Sequence, residues 1–290
     1  MKTVELFDAS RKVYSLEIFP PKREYPIETI FETLDGLHFL RPDFISVTFG
    51  AGGSSDGATT IQIATMIRDR YGIESVAHIP CINLTKDDVR AILEQLQRNG
   101  IENILALRGD RVEGREPCRD FAHASDLVSF IHEEAPGAFD ILGACYPETH
   151  PEAKSAEQDI AALKVKQDAG ASHFISQLFF DNEIFYDFVS RARAAGVTVP
   201  IEAGIMPVVN RKQIERMTTL CGASLPEKFL SMMRHFDGNK TAMRDAGIAY
   251  AVNQIVDLLA HDVDGIHLYT MNNPLIATRI DEATRSLFGV

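Results

Sequence analysis

Cysteine is scarce in this sequence of 290 residues, which has only Cys81, Cys118, Cys145 and Cys221, all far apart. That spacing excludes a CxxC pair, and with it a zinc knuckle or a thioredoxin-type redox pair. The chain also lacks an HExxH zinc motif and a GxSxG nucleophile elbow. We therefore expect reduced, mostly buried cysteines and no bound metal.

Long apolar runs and positive charge are also lacking. No run approaches the roughly 18 apolar residues that span a bilayer, and the N-terminal segment MKTVELFDASRKVYSLEIF has no apolar signal-peptide core. The formal net charge is −12, which disfavours nucleic acid and anionic membranes because both bind basic surfaces. The sequence predicts a cytoplasmic globular protein that binds neither.

Short runs of branched and aromatic residues alternate with stretches of helical spacing. Because each run is flanked by polar or turn residues, eight strands are predicted, at residues 14–19, 43–49, 75–81, 103–109, 140–146, 173–179, 200–207 and 265–271. Apolar residues three or four apart predict helices over residues 27–40, 86–98, 153–169, 186–195, 210–220, 227–236 and 241–259.

This alternation indicates parallel strands joined by right-handed crossovers. Eight such units favour an α/β fold, a closed (β/α)8 TIM barrel with extra helices before the last strand, over residues 1–290 as one domain. The alternative is an open doubly wound sheet. It is disfavoured because that fold carries a glycine fingerprint after its first strand, where this chain has Pro20 and Pro21.

In such a barrel the active site lies at the C-terminal ends of the strands, and polar residues concentrate there. They are Glu17, Thr48, His78, Arg108, Asp110, Tyr146, Glu148, His150, Gln177, Thr270 and Asn272. Unpaired buried polar groups cost roughly 1–3 kcal/mol each, so this concentration indicates a polar ligand. Glu17 alternates with apolar neighbours, which places it on the interior face, where a carboxylate is seldom structural.

Structural alternatives stay open for other positions. Asp110 could instead pair with Arg108 or cap the following segment, and His78 could be a satisfied core histidine. The glycine-rich residues 49–55 could cradle phosphate, but they match neither a dinucleotide fingerprint nor a P-loop. A loop that lets a flat ligand approach the backbone is the better interpretation.

Five strand-end segments together resemble the methylenetetrahydrofolate reductase family. They are LEIFPP (16–21), SVTFGA (46–51), ALRGD (106–110), ACYPETHPEA (144–153) and SQLFFD (176–181). The resemblance covers essentially the whole chain. It implies a barrel that binds FAD and reduces 5,10-methylenetetrahydrofolate to 5-methyltetrahydrofolate, by ping-pong hydride transfer from NADH or NADPH. The alternative is a flavin-carrying barrel subunit that needs a partner protein as electron donor.

The resemblance also implies roles for individual residues. Glu17 matches the general acid, and Asp110 matches the carboxylate beside flavin and folate. Substrate contacts are implied for Gln177, Asp110, Thr48, Arg211 and Asn273, of which the last two depart from residues found in some relatives. Flavin contacts are implied for Thr48, Phe49, Ala51, His78, Arg108, Gly109, Asp110, His123, Ala124, Tyr146, His150, Asp159 and Lys166. We also expect a homo-oligomer.

These residue types suit the implied chemistry. Protonation of the substrate's N10 opens its five-membered ring and leaves a 5-iminium cation, so a carboxyl such as Glu17 can act as the acid. A nearby anion such as Asp110 stabilises the cation. Asp159 and Lys166 are seven residues apart, which places them on one helix face, where they are predicted to hold the ribose or phosphate region of the cofactor.

Overall fold

The structure is a computed structural model that describes residues 1–7, 11–22, 24–49, 57–110 and 118–289. Eight parallel strands close into a barrel in chain order. They are β1 (Val13–Ile18), β2 (Phe44–Val47), β3 (Glu74–Pro80), β4 (Asn103–Leu107), β5 (Asp140–Cys145), β6 (His173–Ser176), β7 (Ile201–Ile205) and β8 (Gly265–Tyr269). The predicted TIM barrel is confirmed, and all eight strands fall within or beside their predicted ranges.

The described part of the chain forms ten α-helices around the barrel. They are α1 (Thr29–Leu37), α2 (Ala58–Tyr71), α3 (Lys86–Arg98), α4 (Ala124–Glu134), α5 (Ala156–Asp168), α6 (Asn182–Ala194), α7 (Arg211–Cys221), α8 (Glu227–Phe236), α9 (Lys240–Ala260) and α10 (Pro274–Thr284). Helices α7 to α9 lie between β7 and β8, which confirms the extra helices before the last strand. The sequence analysis did not locate α2, α4 and α10.

Local signals explain why α3 has its predicted bounds. The Thr85 hydroxyl accepts a hydrogen bond from the backbone N–H of Asp88, and the Thr85 N–H donates one to the Asp88 carboxylate, which together form a capping box. At the other end Asn99 is followed by Gly100, whose φ of +65° suits glycine. Such paired start and stop signals define a helix even where its apolar face is narrow.

An apolar layer fills the barrel near the N-terminal ends of the strands. It consists of Val13, Phe44, Val76, Leu105, Leu142 and Ile175. The 3₁₀ helix Thr3–Leu6 covers this layer, and Thr3 Oγ1 donates a hydrogen bond of 2.9 Å to Asp140 Oδ2. With that end closed, the C-terminal ends of the strands are the face at which a ligand approaches the interior.

The structure bears on three features noted in the composition. Across the described ranges no helix is long and apolar enough to cross a membrane. Within those ranges there is also no group of three or more His, Cys, Asp or Glu side chains that could hold a metal ion. The cysteines are free as predicted; Cys81 and Cys145 are buried, whereas Cys118 and Cys221 are half-buried.

Candidate active site

Glu17 lies near the C-terminal end of β1, with its side chain in the barrel interior as predicted. Its Oε2 is 3.6 Å from Nε2 of His78 on β3 and 3.6 Å from Nε2 of His267 on β8. Neither imidazole nitrogen has a hydrogen-bond partner among the described residues, so His78 is not a satisfied core histidine. Burial lowers the pKa of His78 to about 4, although the charge of Glu17 acts in the opposite direction.

The backbone that carries Glu17 is fastened to the end of β8. Thr270 Oγ1 donates a hydrogen bond of 2.7 Å to the carbonyl of Glu17. The Asn272 amide bonds both backbone groups of Phe19, donating to its carbonyl at 2.8 Å and accepting from its N–H at 3.0 Å. Met271 and Asn272 have φ of +51° and +52°, a conformation that costs non-glycine residues free energy. The hydrogen bonds from this turn therefore hold the backbone at Glu17 and Phe19 in place.

Arg108 and Asp110 are not paired with each other. The Arg108 guanidinium instead makes two hydrogen bonds of 2.7 Å to the carboxylate of Glu152. Asp110 is exposed at the end of the described part of this loop. Gly109 between them has a φ of +84°, and a Cβ there would lie 2.6 Å from Cβ of Pro80. The alternative in which Asp110 only neutralises Arg108 is therefore wrong, and glycine is required to turn Asp110 away.

Tyr146 and Gln177 meet at the ends of β5 and β6. Burial raises the pKa of Tyr146 to about 12, with the negative charge of Asp110 adding to the increase and the side chain of Gln177 acting against it. The hydroxyl is therefore protonated at neutral pH. The Tyr146 ring also lies 4.5 Å from that of His150. Two of the polar residues expected at the end of β5 thus lie side by side.

Asp159 and Lys166 share the face of α5 that lies against β5, as predicted. Asp159 Oδ2 accepts a hydrogen bond of 2.9 Å from the backbone N–H of His150. Lys166 Nζ donates to the carbonyl of Ala144 and lies 5.6 Å from the ring centroid of Phe174. Burial lowers the pKa of this ammonium. Both polar groups are bonded within the barrel wall, and their contact with a cofactor stays a prediction.

The remaining predicted flavin contacts lie around β2 and α4. Thr48 extends the β1–β2 ladder by donating from its N–H to the Ile18 carbonyl at 3.0 Å. Phe49 is half-buried against the core. His123 is exposed and precedes Ala124, the first residue of α4. Ala51, with residues 50–56, lies outside the described residues.

The two predicted substrate residues that depart from some relatives have local partners. Arg211 is half-buried at the start of α7, where it pairs with Glu215 at 2.7 Å and Asp237 at 3.0 Å. Asn273 caps α10 by accepting a hydrogen bond of 3.3 Å from the N–H of Ile276. Each side chain thus stabilises a helix start, and its role toward a ligand stays a prediction.

Sequence analysis missed a buried polar cluster, which we call the core polar cluster and which consists of Ser15, His173, Glu202 and His267. All four side chains are 0% exposed. Ser15 Oγ lies 2.5 Å from Glu202 Oε2 and 2.7 Å from His267 Nδ1. His173 Nε2 lies 3.7 Å from Glu202 Oε1. One signal was available, since Glu202 is an acidic residue in an apolar strand, as is Glu17.

The buried imidazole of His173 predicts acid sensitivity. Burial lowers its pKa from 6.5 to about 4, so between these values the unfolded chain binds a proton that the folded protein does not. The free energy of unfolding contributed by this residue should fall as pH is lowered through that window. His173→Gln should make the fall shallower in urea unfolding measured across it. A parallel loss of stability at every pH would mean that only packing had changed.

The fold and the site together define a (β/α)8-barrel protein whose ligand face carries an interior acid. The chain belongs to the methylenetetrahydrofolate reductase family, because the family model described as Methylenetetrahydrofolate reductase matches residues 2–284. The resemblance seen in the strand-end motifs is thereby confirmed.

Relatives come from bacteria and plants. The chain is 39% identical over 258 residues to 5,10-methylenetetrahydrofolate reductase of Escherichia coli (strain K12), which covers 89% of this chain and 86% of that protein. It is 36% identical over 284 residues to Methylenetetrahydrofolate reductase (NADH) 1 of Arabidopsis thaliana, which covers 93% of this chain. The chain spans only 48% of the plant protein, about half its length.

One solved structure shares the fold over almost its whole length. It is an uncharacterized protein from Clostridium thermocellum that binds two copies of 5-methyl-5,6,7,8-tetrahydrofolic acid. The TM-score is 0.64 at 14% sequence identity, with 99% of this chain and 98% of that chain covered. At this identity the likeness shows the fold alone.

Proposed function

We propose that this chain reduces 5,10-methylenetetrahydrofolate to 5-methyltetrahydrofolate. The observation that carries the proposal is the pairing of two differently placed carboxyls at one end of the barrel. Glu17 is interior, with its carboxyl 19% exposed, whereas Asp110 is exposed. A reaction that needs one proton donor and one anion beside a cation uses such a pair. The name of the bacterial relative supports the same activity.

Glu17 is the proposed acid. Its oxygen faces two imidazoles, and its backbone is fixed by Thr270, so the carboxyl is oriented before substrate binds. The proton goes to N10 of the substrate. The bond between N10 and the one-carbon unit then breaks, so that N10 becomes an amine and the 5-iminium cation forms. Asp110 stabilises that cation by its charge. Gln177, whose Oε1 accepts a hydrogen bond of 2.9 Å from the N–H of Leu178, would hold the folate ring.

We propose FAD as the cofactor and NADH or NADPH as the electron donor. The strand ends suit a polar ligand, because Nε2 of His78 and Oδ1 of Asn83 are buried without partners among the described residues. Thr48, Arg108 and Tyr146 would hold the flavin there. A bound flavin supplies hydride transfer between the nicotinamide and the one-carbon unit. The NADH named in the plant relatives supports NADH as donor.

The absorption spectrum of the purified protein tests these proposals. We expect a yellow protein that releases FAD on denaturation, loses its colour with NADH or NADPH without oxygen, and regains it with 5,10-methylenetetrahydrofolate. Release of FMN, or absence of flavin, would refute the cofactor. Failure of both nucleotides to bleach the colour would indicate a protein donor instead. Bleaching without recovery by the folate would refute the substrate.

A further inference from the structure

The core polar cluster reaches Glu17 through His267, and this contact gives the cluster a role in the reaction. We propose that Glu17 and Glu202 share one proton through His267 and Ser15. Glu202 is then a positioning residue that stores the proton beneath the site and delivers it to Glu17 before each turnover. The inference rests on the proposed role of Glu17 as the acid.

Three neighbouring strands supply a row of closely spaced polar atoms. From β7, Glu202 Oε2 lies 2.5 Å from Ser15 Oγ of β1, which lies 2.7 Å from Nδ1 of His267 on β8. The opposite nitrogen of that ring, Nε2, lies 3.6 Å from Oε2 of Glu17. The last gap exceeds a hydrogen bond, but such contacts are often long in ligand-free enzymes and shorten when substrate binds.

The position of the cluster is itself informative. Barrel interiors of this fold are normally filled by branched apolar residues, and the layer below the cluster follows that rule. Above it, Ser15, Glu202 and His267 are 0% exposed. Polar groups so buried are costly unless they are bonded. Because this row ends at the proposed acid, it can transfer protons to Glu17, which an unconnected set of buried polar residues could not do.

The single hydroxyl proton of Ser15 gives the row two arrangements. When Glu202 is protonated, it donates to Ser15, Ser15 donates to Nδ1, and the N–H at Nε2 faces the Glu17 carboxylate. When Glu202 is ionised, Ser15 donates to it, the N–H at Nδ1 donates to Ser15, and unprotonated Nε2 faces a protonated Glu17. The two arrangements differ only by one proton moved from one end to the other.

The transfer balances at every atom. Before Glu17 gives a proton to N10, Nε2–H of His267 breaks as Glu17 O–H forms. Nδ1–H forms as the Ser15 O–H breaks, and Ser15 O–H re-forms as the Glu202 O–H breaks. Glu17 ends protonated and Glu202 ionised, and no electrons change hands. Glu17 then gives this proton to N10, a proton from solvent enters at the ionised Glu17, and the reverse sequence reloads Glu202.

The surroundings of Glu202 favour a stored proton. Burial raises its pKa to about 7, while His267 and Ser15 act against the increase and the charges of Asp43 and Asp264 add to it. His173, the group on β6 that faces it, has its pKa lowered to about 4 by burial and is neutral. His173 therefore carries no positive charge that would favour ionisation of Glu202.

Two other groups around Glu17 are uncharged at neutral pH. His78 is neutral because burial lowers its pKa to about 4. Burial raises the pKa of Tyr269 on β8, where Glu17 adds to the increase, so that hydroxyl is protonated. Neither of these two side chains therefore places a charge beside Glu17.

Nuclear magnetic resonance of the ¹³C-labelled side-chain carboxyls of glutamate tests the sharing directly and needs no turnover. Glu17→Gln and Glu202→Gln assign the two signals. Because two interacting carboxyls hold their last proton more tightly than either alone, Glu17→Gln should lower the titration midpoint of Glu202 by about one pH unit. Adding Ser15→Ala should remove most of that shift, and Ser15→Thr, which keeps the hydroxyl, should preserve it. If the titration midpoint of Glu202 is the same in the wild-type protein and in Glu17→Gln, the proposal is overturned.

Ser46→Ala is the matched control. Ser46 is another fully buried interior serine, opposite Glu17 in the β1–β2 register, and its Oγ has no partner among the described residues. Ser46→Ala should leave unchanged both the titration midpoint of Glu202 and the effect of Glu17→Gln on that midpoint. An equal effect of both serine variants would show a general response of the barrel and would also overturn the proposal.

The pH profile of folate reduction gives the second readout. Glu202→Gln should move the alkaline limb of this profile about one pH unit lower, because Glu17 can then no longer take a proton from Glu202. The pH profile of flavin reduction by the nucleotide should stay unchanged. Should that variant fail to fold, Ser15→Ala against Ser15→Thr gives the same comparison. An unmoved alkaline limb in an active protein overturns the sharing. Absence of folate reduction in the wild-type protein refutes the proposed function instead, and the titration still decides the sharing.

Discussion

Glu17→Gln should lower the rate of folate reduction by about 10²–10⁴-fold, the usual contribution of a general acid. Glutamine keeps the shape and can still bond an imidazole, but it has no proton to give to N10. Reduction of the bound flavin by the nucleotide needs no such proton, so its rate should change little. Stopped-flow measurement of each half-reaction separates the two effects.

Glu148→Gln is the matched control for that experiment. Glu148 is also a glutamate near a strand end, but its carboxylate accepts a hydrogen bond of 2.7 Å from the Ser224 backbone. The control should retain folate reduction within a few-fold. Folate turnover at the wild-type rate in Glu17→Gln would refute the acid, and equal slowing of both half-reactions would indicate that the variant disturbs the barrel.

The barrel could be predicted because each of its strands is indicated by a local sequence pattern. Each strand is a short run of branched residues, and helices such as α3 carry capping signals at Thr85 and Gly100. Helix α2 could not be located in the same way. It follows a glycine-rich segment, and its buried stripe of Thr60, Ile63, Ala64 and Ile67 begins with a polar residue and has Ile61 buried beside it, which weakens the apolar 3–4 pattern.

The interior position of Glu17 was predictable for the same local reason, since alternation along one strand defines its two faces. The partners of Glu17 were not. His267 meets Ser15 across 252 residues of chain, and only the closed register of β1 with β8 brings them together. Glu202 fitted the criterion that selected Glu17, but no motif pointed to it. The sequence therefore predicts which end of the barrel carries the strand-end polar residues, but it does not indicate the row of polar atoms beneath them.

Side-chain direction was a second limit. The shared face of Asp159 and Lys166 was correct, but helix geometry alone does not tell whether that face meets a ligand or the barrel wall. The structure bonds Lys166 to the Ala144 carbonyl. Likewise, the pairing of Arg108 with Glu152 depends on the loop after β5, which no pattern within β4 could indicate.

Asp110→Asn should slow folate reduction by about 10–100-fold while the nucleotide half-reaction changes only a few-fold. Asparagine nearly keeps the shape but removes the charge that stabilises the iminium cation. Removing a buried stabilising group typically costs 10²–10³-fold, and the smaller effect is expected because Asp110 is exposed and screened by salt. Loss of a negative charge should also raise the reduction potential of a flavin bound nearby, which a redox titration measures.

Two comparisons separate this electrostatic role from a structural one. Asp110→Glu keeps the charge and should recover part of the folate rate, and the gap between wild type and Asp110→Asn should narrow as ionic strength rises, because screening weakens only the charged form. Arg108 is bonded to Glu152 and not to Asp110, so the variant leaves that ion pair intact. Equal slowing of both half-reactions, with an unmoved potential, would contradict the assignment of Asp110 to the cation.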